Sequence, residues 1–249
     1  MSKYYNIDDA IKSFGNGEIP IIIPTFNQPT YAKKFVKQLL DIGVENFVIS
    51  DNNSTFPPMI KWLEKISKTH RVLHLGDNLG PRVYSERAMI ESMPEWFVVT
   101  DPDLILNKKL PSNFIDIMIN ECLKFQLCKV GFAIDISDKA AKKFFNPEEI
   151  KKWESPYWVD VIGRTPDDNE IYLAPIDTTF AVHNKEVIMG SLHLVQDTSE
   201  LKSARIAGNY SCEHMGWWQS QPLTPEEEAY YNSIQRWCST QQARARFGI

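Results

Sequence analysis

Short apolar runs alternate with amphipathic stretches through the first part of the chain. Ile19-Pro20-Ile21-Ile22-Ile23-Pro24 is a nearly continuous β-branched run. It predicts a strand buried on both faces, as in a parallel sheet. Its prolines sit near the ends, where a missing N–H is tolerated. Thr25 to Pro29 predicts a loop, and Thr30 can cap a helix with Phe35, Val36, Leu39 and Leu40 on its apolar face and Gly43 at its close. Val44 to Ile49 reads as a second strand, ending in Ser50-Asp51-Asn52-Asn53-Ser54. A helix through Met59, Ile60, Leu63 and Ile66 follows, then a third strand from Arg71 to Leu75 and the turn Gly76-Asp77-Asn78-Leu79-Gly80-Pro81-Arg82. Val83 to Ser92 predicts a helix leading into a fourth strand, Trp96 to Thr100, which runs straight into Asp101-Pro102-Asp103. Ahead of these, Ile7, Ala10, Ile11 and Phe14 behind Asn6 predict a short helix over Tyr4 to Phe14.

This alternation implies the α/β class, with a mostly parallel central sheet, flanking helices and right-handed crossovers. Ligands of such sheets bind beyond the carboxyl ends of the strands. The loops at Thr25, Asp51, Asp77 and Asp101 all fall there, so four polar loops converge on one crevice. The second half is less regular. Phe114 to Phe125 predicts a helix and Lys129 to Ile136 a strand. Asn146-Pro147-Glu148-Glu149 is a good helix start, with the helix running to Trp153. Trp158 to Ile162 and Ile171 to Ala174 read as strands flanking a turn at 165–169, and Thr178 to His183 as another strand. Thr224-Pro225-Glu226-Glu227-Glu228 opens a terminal helix with Tyr230, Tyr231, Ile234 and Trp237 at helical spacing. No linker separates the halves, so residues 1–249 read as one composite domain.

Composition narrows the function classes. With 249 residues, 43% of them hydrophobic, the chain can bury one substantial core. A net charge of −5 argues against a general nucleic-acid binder. The four cysteines, Cys122, Cys128, Cys212 and Cys238, form no CxxC pair, which argues against structural zinc. Neither a signal-like N-terminus nor a run of about 18–20 apolar residues is present. The expected location is cytoplasmic with reduced thiols, and peripheral attachment to a membrane through a partner or lipid acceptor stays open.

Asp101 and Asp103 carry the sharpest chemistry. Two carboxylates one residue apart at a strand end can share a hard divalent cation, directly or through water. Such a cation can bridge a nucleotide diphosphate and neutralise charge growing on a leaving group. Asp and Pro also simply form turns, and an isolated DxD occurs often by chance. Asp51-Asn52-Asn53-Ser54 offers an acceptor for a ribose hydroxyl or base N–H, or an ordinary Asx-rich turn. Asp77 and Arg82 suit the base or the phosphates, while Arg87 reads more readily as a solvated helix residue.

As an ordered set, Ile21-Ile22-Ile23-Pro24-Thr25-Phe26-Asn27, Val48-Ile49-Ser50-Asp51-Asn52-Asn53-Ser54, Asn78-Leu79-Gly80 and Asp101-Pro102-Asp103 resemble the blocks of family 2-like glycosyltransferases of the GT-A (Rossmann-like) fold. The similarity covers residues 19–106. It implies that this half holds a nucleotide-sugar donor, most directly through Thr25 and Asp51, and that Asp103 with Asp101 holds Mn2+ or Mg2+. Pro24, Asn27, Asn53 and Pro102 belong to the same implied donor site, as do Asp77, Asn78, Arg82 and Arg87. Two departures are visible. Phe26 replaces the commoner Tyr of the first block, and Pro81-Arg82 follows the Asn-Leu-Gly turn in place of small or aromatic residues, which leaves the role of Arg82 open.

The resemblance also implies that residues 107–222 supply the acceptor side and residues 223–249 a helical tail. In Pro175-Ile176-Asp177-Thr178-Thr179-Phe180 one acid stands among apolar neighbours, and a carboxylate there can deprotonate an acceptor hydroxyl. A capping Asp reads equally well. Asp160, Asp167 and Asp168 are weaker rivals. His214 is the late histidine that the resemblance allows as the missing metal ligand, against a plain role in an aromatic loop. Trp217, Trp218 and Thr178 can line the acceptor or anchor a flap. Arg205 can reach phosphate, and the polar segment 196–211 can form a lid. The implied activity is metal-dependent, inverting transfer from a nucleoside-diphosphate sugar, UDP-linked by resemblance, to a carbohydrate, glycan or glycolipid acceptor, with Asp177 as base. Two other readings stand beside it. A sugar nucleotidyltransferase would want a Gly-rich basic loop after the first strand, and Thr25 to Pro29 has neither Gly nor Lys. An inactive nucleotide-sugar or carbohydrate-binding module would not need every acid retained. The absence of GxGxxG disfavours a dehydrogenase.

Overall fold

The computed structural model describes residues 4–5, 18–194, 201–234, 242 and 244. The expected β-α-β alternation is present. Tyr4–Tyr5 (β1), Ile21–Thr25 (β2), Phe47–Asp51 (β3), Arg71–His74 (β4) and Trp96–Val99 (β5) form a parallel array. Pro29–Asp41 (α1) and Pro57–Ile66 (α2) make the first two crossovers, and Arg87–Ser92 (α3) precedes β5. Leu104–Ile105 (β6), Phe114–Phe125 (α4) and Lys129–Phe132 (β7) follow, then Asp138–Ala141 (α5) and Pro147–Glu154 (α6). Val161–Arg164 (β8) and Glu170–Leu173 (β9) make a hairpin. Ala181–Asn184 (β10), Lys185–Ser191 (α7), Ser203–Ile206 (β11), Glu213–His214 (β12) and Pro225–Ile234 (α8) complete the described elements.

One large sheet runs in the order β1-β4-β3-β2-β5-β10-β7-β11-β9-β8, and β6 pairs with β12 in a small second sheet. β10 is antiparallel to both of its neighbours, β9 is antiparallel to both of its own, and the other strands share one direction. The sheet is therefore mixed but mostly parallel, with helices on both faces. Strand order runs outward from β2 through β3 to β4, then returns to β5 on the opposite side of β2. The gap between β2 and β5 is thus a topological switch point, where open α/β sheets admit ligands.

The pleat of β2 explains both faces. Ile21 and Ile23 join one core with Phe35 and Leu39 of α1, Met59 and Leu63 of α2, and Phe114 and Met118 of α4. Ile22 points the other way, to Val48, Leu73, Val83, Tyr84 and Phe97. Pro24 sits inside β2 without breaking it. Ile22 O accepts from the Thr100 amide, so the even-numbered residues of β2 face β5, and β5 has ended where the N–H that Pro24 lacks would have donated.

Several expected elements differ. Tyr4–Tyr5 pair with Val72 and Leu73 as an edge strand, and residues 6–14 of the expected helix lie outside the described residues. The helix expected over 83–92 is split into a 3-10 turn at Val83–Ser85 and α3, with Glu86 extended between them. Val83 and Tyr84 of the turn are both buried against the sheet, and the Tyr84 hydroxyl donates to Ser50 Oγ at 2.6 Å. Of the lid expected at 196–211, residues 196–200 lie outside the described residues, 203–206 are the fully buried strand β11 and 208–210 are a 3-10 turn. Ser203 and Arg205 are polar yet buried, which hid the strand pattern. Trp237 lies outside the described residues.

Phe132, Phe180 and Phe114 lock the second half onto the sheet. Phe132 stacks on Phe180 at 4.5 Å between centroids and 9° between planes, and Phe114 meets Phe180 at 5.6 Å. Phe180 is completely buried. Replacing it with Ala should lower stability by about 3–5 kcal/mol. Urea unfolding of Phe180→Ala measures this, and a loss below about 1 kcal/mol would mean the ring is not part of the core.

Candidate active site

The loops beyond β2, β3 and β4 are built by their own polar side chains. Register sets Thr25 opposite Asp51 and Asp51 opposite His74. Both Thr25 and Asp51 are buried. The Asp51 carboxylate accepts from the Ser54 amide at 3.2 Å and meets His74 Nδ1 at 3.1 Å. Asn27, at a left-handed φ of 53°, accepts on Oδ1 from the Thr55 and Phe56 amides, both at 2.7 Å, and its own amide donates to Ser54 Oγ at 2.9 Å. Asn52 Oδ1 accepts from the Leu79 amide at 3.2 Å, which ties the third loop to the second. Asp77 Oδ1 accepts from the Asn78 amide at 2.7 Å, and Asn78 Oδ1 from the Gly80 amide at 3.1 Å. The Asn78 contact is an Asx turn, and both shape the backbone of this loop. Asn53 is exposed at φ 61°.

Across the switch point, the Asp101 amide donates to Thr178 O at 2.9 Å, and Thr178 Oγ1 donates to Asp101 Oδ2 at 2.7 Å. Pro102 turns the chain so that Asp103 follows on the same side of the crevice. β6 then pairs with β12, placing His214 opposite Leu104, and the Met215 amide donates to Asp103 O at 2.7 Å. Two distant segments thereby assemble one cluster. Asp101, Asp103 and His214 each present a ligand atom, and these atoms lie within 4.8 Å of one another. His214 Nε2 is 3.5 Å from Asp103 Oδ2.

The residues of this cluster fit a divalent cation. Two carboxylates and an imidazole suit Mn2+ better than Mg2+. Burial first, then the Asp103 charge, raises the Asp101 pKa well above the usual carboxylate range, a shift that a bound cation reverses. His214 Nδ1 is buried and has no hydrogen-bond partner among the described residues. The imidazole is held by stacking on Trp217 at 4.9 Å. A Cβ on Gly216 would fall 2.7 Å from Asp103 Oδ2 and 2.7 Å from His214 Cε1. Only glycine lets the acid and the imidazole close in at this point.

Asp177 stands beside the cluster, one residue before the Thr178 that binds Asp101. Its two oxygens accept from Arg82 Nε at 2.9 Å and Nη2 at 3.0 Å. Both side chains are more than half exposed, so the pair contributes about 0–1 kcal/mol to stability. Arg87 pairs with Glu91 at 2.8 Å on an exposed face of α3. Trp217 packs edge-on against Phe144 at 5.9 Å, and Trp218 lies under Lys143 at 4.8 Å, so both tryptophans anchor the loop after β12. Asp167 and Asp168 belong to the β8–β9 turn, where Asp167 accepts from Thr165 Oγ1 at 2.7 Å and Asp168 takes φ 63°. Arg205 is buried and paired with Glu154. A groove of about 480 Å³ between α1 and α2, lined by Lys33, Pro58, Lys61, Trp62 and Lys65, holds none of the strand-end residues.

Asn52, Ser54, His74 and Gly216 escaped sequence reading. Asn52 and Ser54 lay in plain view within the Asp51 block. His74 follows from strand register alone, because it ends the strand beside Asp51. Gly216 had only its nearness to His214 as a signal.

No protein-family model matches the chain, and no curated protein matches it in sequence. Solved structures with a similar course of chain include the mannosyltransferase PcManGT from Pyrobaculum calidifontis in complex with GDP-Man and Mn2+, at 11% identity and TM-score 0.47 over 85% of this chain and 59% of that one. This chain thus spans less than two thirds of that protein's length. Another is glucosyl-3-phosphoglycerate synthase from Mycobacterium tuberculosis in complex with Mn2+, UDP and glucosyl-3-phosphoglycerate, at 12% identity and TM-score 0.42 over 92% and 80% of the two chains. HddC from Yersinia pseudotuberculosis matches at 10% identity and TM-score 0.47 over 86% and 97%. At such identities and scores the likeness says nothing of substrate or mechanism. Among the described residues, no helix is long and apolar enough to cross a membrane.

Gly216→Ala should weaken Mn2+ binding roughly 10- to 100-fold, the usual scale for disturbing the support of a metal ligand. Calorimetric titration with Mn2+ measures it, and an unchanged affinity would place the ion elsewhere.

Proposed function

We propose that this chain transfers a sugar from a nucleoside-diphosphate donor, UDP-linked by motif resemblance, to a hydroxyl of a carbohydrate, glycan or glycolipid acceptor. The observation that carries the reading is the Asp101–Asp103–His214 cluster at the switch point of a mostly parallel sheet. Those three residues would hold Mn2+ or Mg2+, which when bound neutralises charge on the departing diphosphate. The loops at Thr25, Asp51 and Asp77 take the nucleoside, with their backbone already set by Asn27, Asn52 and Asn78. Asp177 takes the proton of the acceptor hydroxyl as it attacks the sugar carbon in line, with inversion. Each Asp177 oxygen receives one hydrogen bond from Arg82 and keeps a second lone pair, so the carboxylate can still accept a proton. Arg82 holds the carboxylate in place and offers the donor phosphates a guanidinium at the same edge.

Thermal-shift screening of nucleoside-diphosphate sugars with Mn2+ tests the reading, since a specific ligand raises apparent stability by mass action. One donor should raise Tm only when the metal is present, and an acceptor should then release nucleoside diphosphate. A full panel without metal-dependent stabilisation or release would end it.

Two substitutions divide the roles. Asp177→Asn should cut transfer by about 10²–10⁴-fold while donor affinity stays within a few fold. Wild-type turnover in that variant would remove Asp177 as base. Asp103→Ala should abolish the Mn2+-dependent part of donor binding in calorimetry, and retention of that part would remove Asp103 from the metal site.

A further inference from the structure

Residues 174–180 join β9 to β10 without a strand ladder of their own, yet four of their carbonyls are held. Pro175 O accepts from Arg205 Nε at 2.8 Å, and Ile176 O accepts from Lys129 Nζ. Thr178 O accepts from the Asp101 amide and Phe180 O from the Phe132 amide, both at 2.9 Å. Asp177 stands in the middle of this segment.

The two side-chain donors are buried cations. Lys129 is 7% exposed and Arg205 5%. Arg205 has a counter-charge: Nη1 donates to Glu154 Oε1, itself buried, and the guanidinium lies 4.2 Å from the Tyr157 ring centroid. Lys129 has no carboxylate within ion-pair distance among the described residues. The charges that act on it are Asp177, Arg205, Arg82 and Cys128, and half-buried His183 lies across the β7–β10 ladder. Burial lowers its pKa to about 8, although Asp177 opposes that shift. A lysine ammonium is among the least favourable groups to bury, and methionine would fill similar space without the charge. Core packing alone does not call for lysine here, whereas the carbonyl it binds belongs to the peptide unit leading into Asp177.

We infer that Lys129 and Arg205 are positioning residues that lock the two peptide units flanking Ile176 and so aim the Asp177 carboxylate. The inference rests on Asp177 acting as base. With both planes pinned, the backbone enters Asp177 along one course, and the carboxylate can hold its direction when Arg82 turns to a bound donor. A misplacement of about 1 Å in such a group is enough to slow a reaction by about 10²-fold.

Lys129→Met tests it in the full chain. Turnover is read as acceptor-dependent release of nucleoside diphosphate from the donor that wild type accepts, beside Tm and hydrogen exchange of residues 174–180. We expect kcat to fall about 10²-fold, donor KM to stay within about threefold, exchange of 174–180 to rise, and Tm to stay within about 3 °C, because relief of the buried cation offsets the unpaired Ile176 carbonyl. The double variant Lys129→Met/Asp177→Asn should be no slower than Asp177→Asn alone, as for groups that act as one unit. A kcat within twofold of wild type, a double variant slower than Asp177→Asn, or a kcat loss matched by a fall in Tm would overturn the inference. If Lys129→Met does not fold, Lys129→Gln is held to the same criteria. The two readings fail separately. An inactive Asp177→Asn beside a fully active Lys129→Met removes the positioning role and leaves the base. An active Asp177→Asn removes the base, and unchanged exchange of 174–180 in Lys129→Met then removes the brace as well.

Discussion

β10 enters the sheet between β5 and β7, antiparallel to both, and most of the site follows from that pairing. Its register puts Ala181 opposite Val99 on one side and Gly131 on the other. A strand in this place has no free edge, and a one-residue slip would turn Val182 out of the main core and put Ala181 or His183 in its place. The fit is tight enough that a Cβ on Gly131 would fall 2.6 Å from Phe180 O. With the register fixed, residues 174–180 must cross the carboxyl ends of the parallel strands. Thr178 then meets Asp101, and Asp177 stands between the two carboxyl-end loops. The acid proposed as base and the acids proposed for the metal are therefore set by one hydrogen-bonded ladder.

Polar groups are buried around this ladder to an extent that packing alone does not require. Arg205, Glu154 and Lys129 are enclosed on the second-half strands and neighbouring helix, while Asp51, Asn52 and Asn27 are enclosed on the first-half loops. In each place the buried groups hold irregular backbone that no ladder holds. The Asx side chains knit the loops after β2 and β3 to each other, and the cations grip the carbonyls of 175 and 176. An unmade bond at such a site leaves a desolvated partner, which is the costly outcome. Irregular segments at the strand ends are thereby made nearly as definite as the strands.

The first half of the fold was legible because parallel β-α-β units repeat a local pattern. Ile21 to Thr25, Phe47 to Asp51 and Trp96 to Val99 are apolar runs that need no distant partner to be recognised. The second half resisted for physical reasons. Ser203-Ala204-Arg205-Ile206 is a buried strand written partly in polar letters, because Arg205 is neutralised by Glu154 and grips Pro175 O. The break at Glu86 leaves no mark in helical periodicity, because the contacts made by the turn, Val83 in the core and Tyr84 on Ser50, are with distant strands.

By itself the sequence determined the parallel half of the sheet, the position of Asp101 and Asp103 at a strand end, and the polar character of the loops around them. These follow from apolar periodicity and turn chemistry, which act over a few residues. Tertiary structure alone decided that His214 stands beside Asp103, that Gly216 must lack a side chain, and that Arg205 and Lys129 bind the carbonyls of Pro175 and Ile176, just before Asp177. Those relations come from the β6–β12 and β10 pairings, and contacts between segments so distant in the chain exist only once the core has closed.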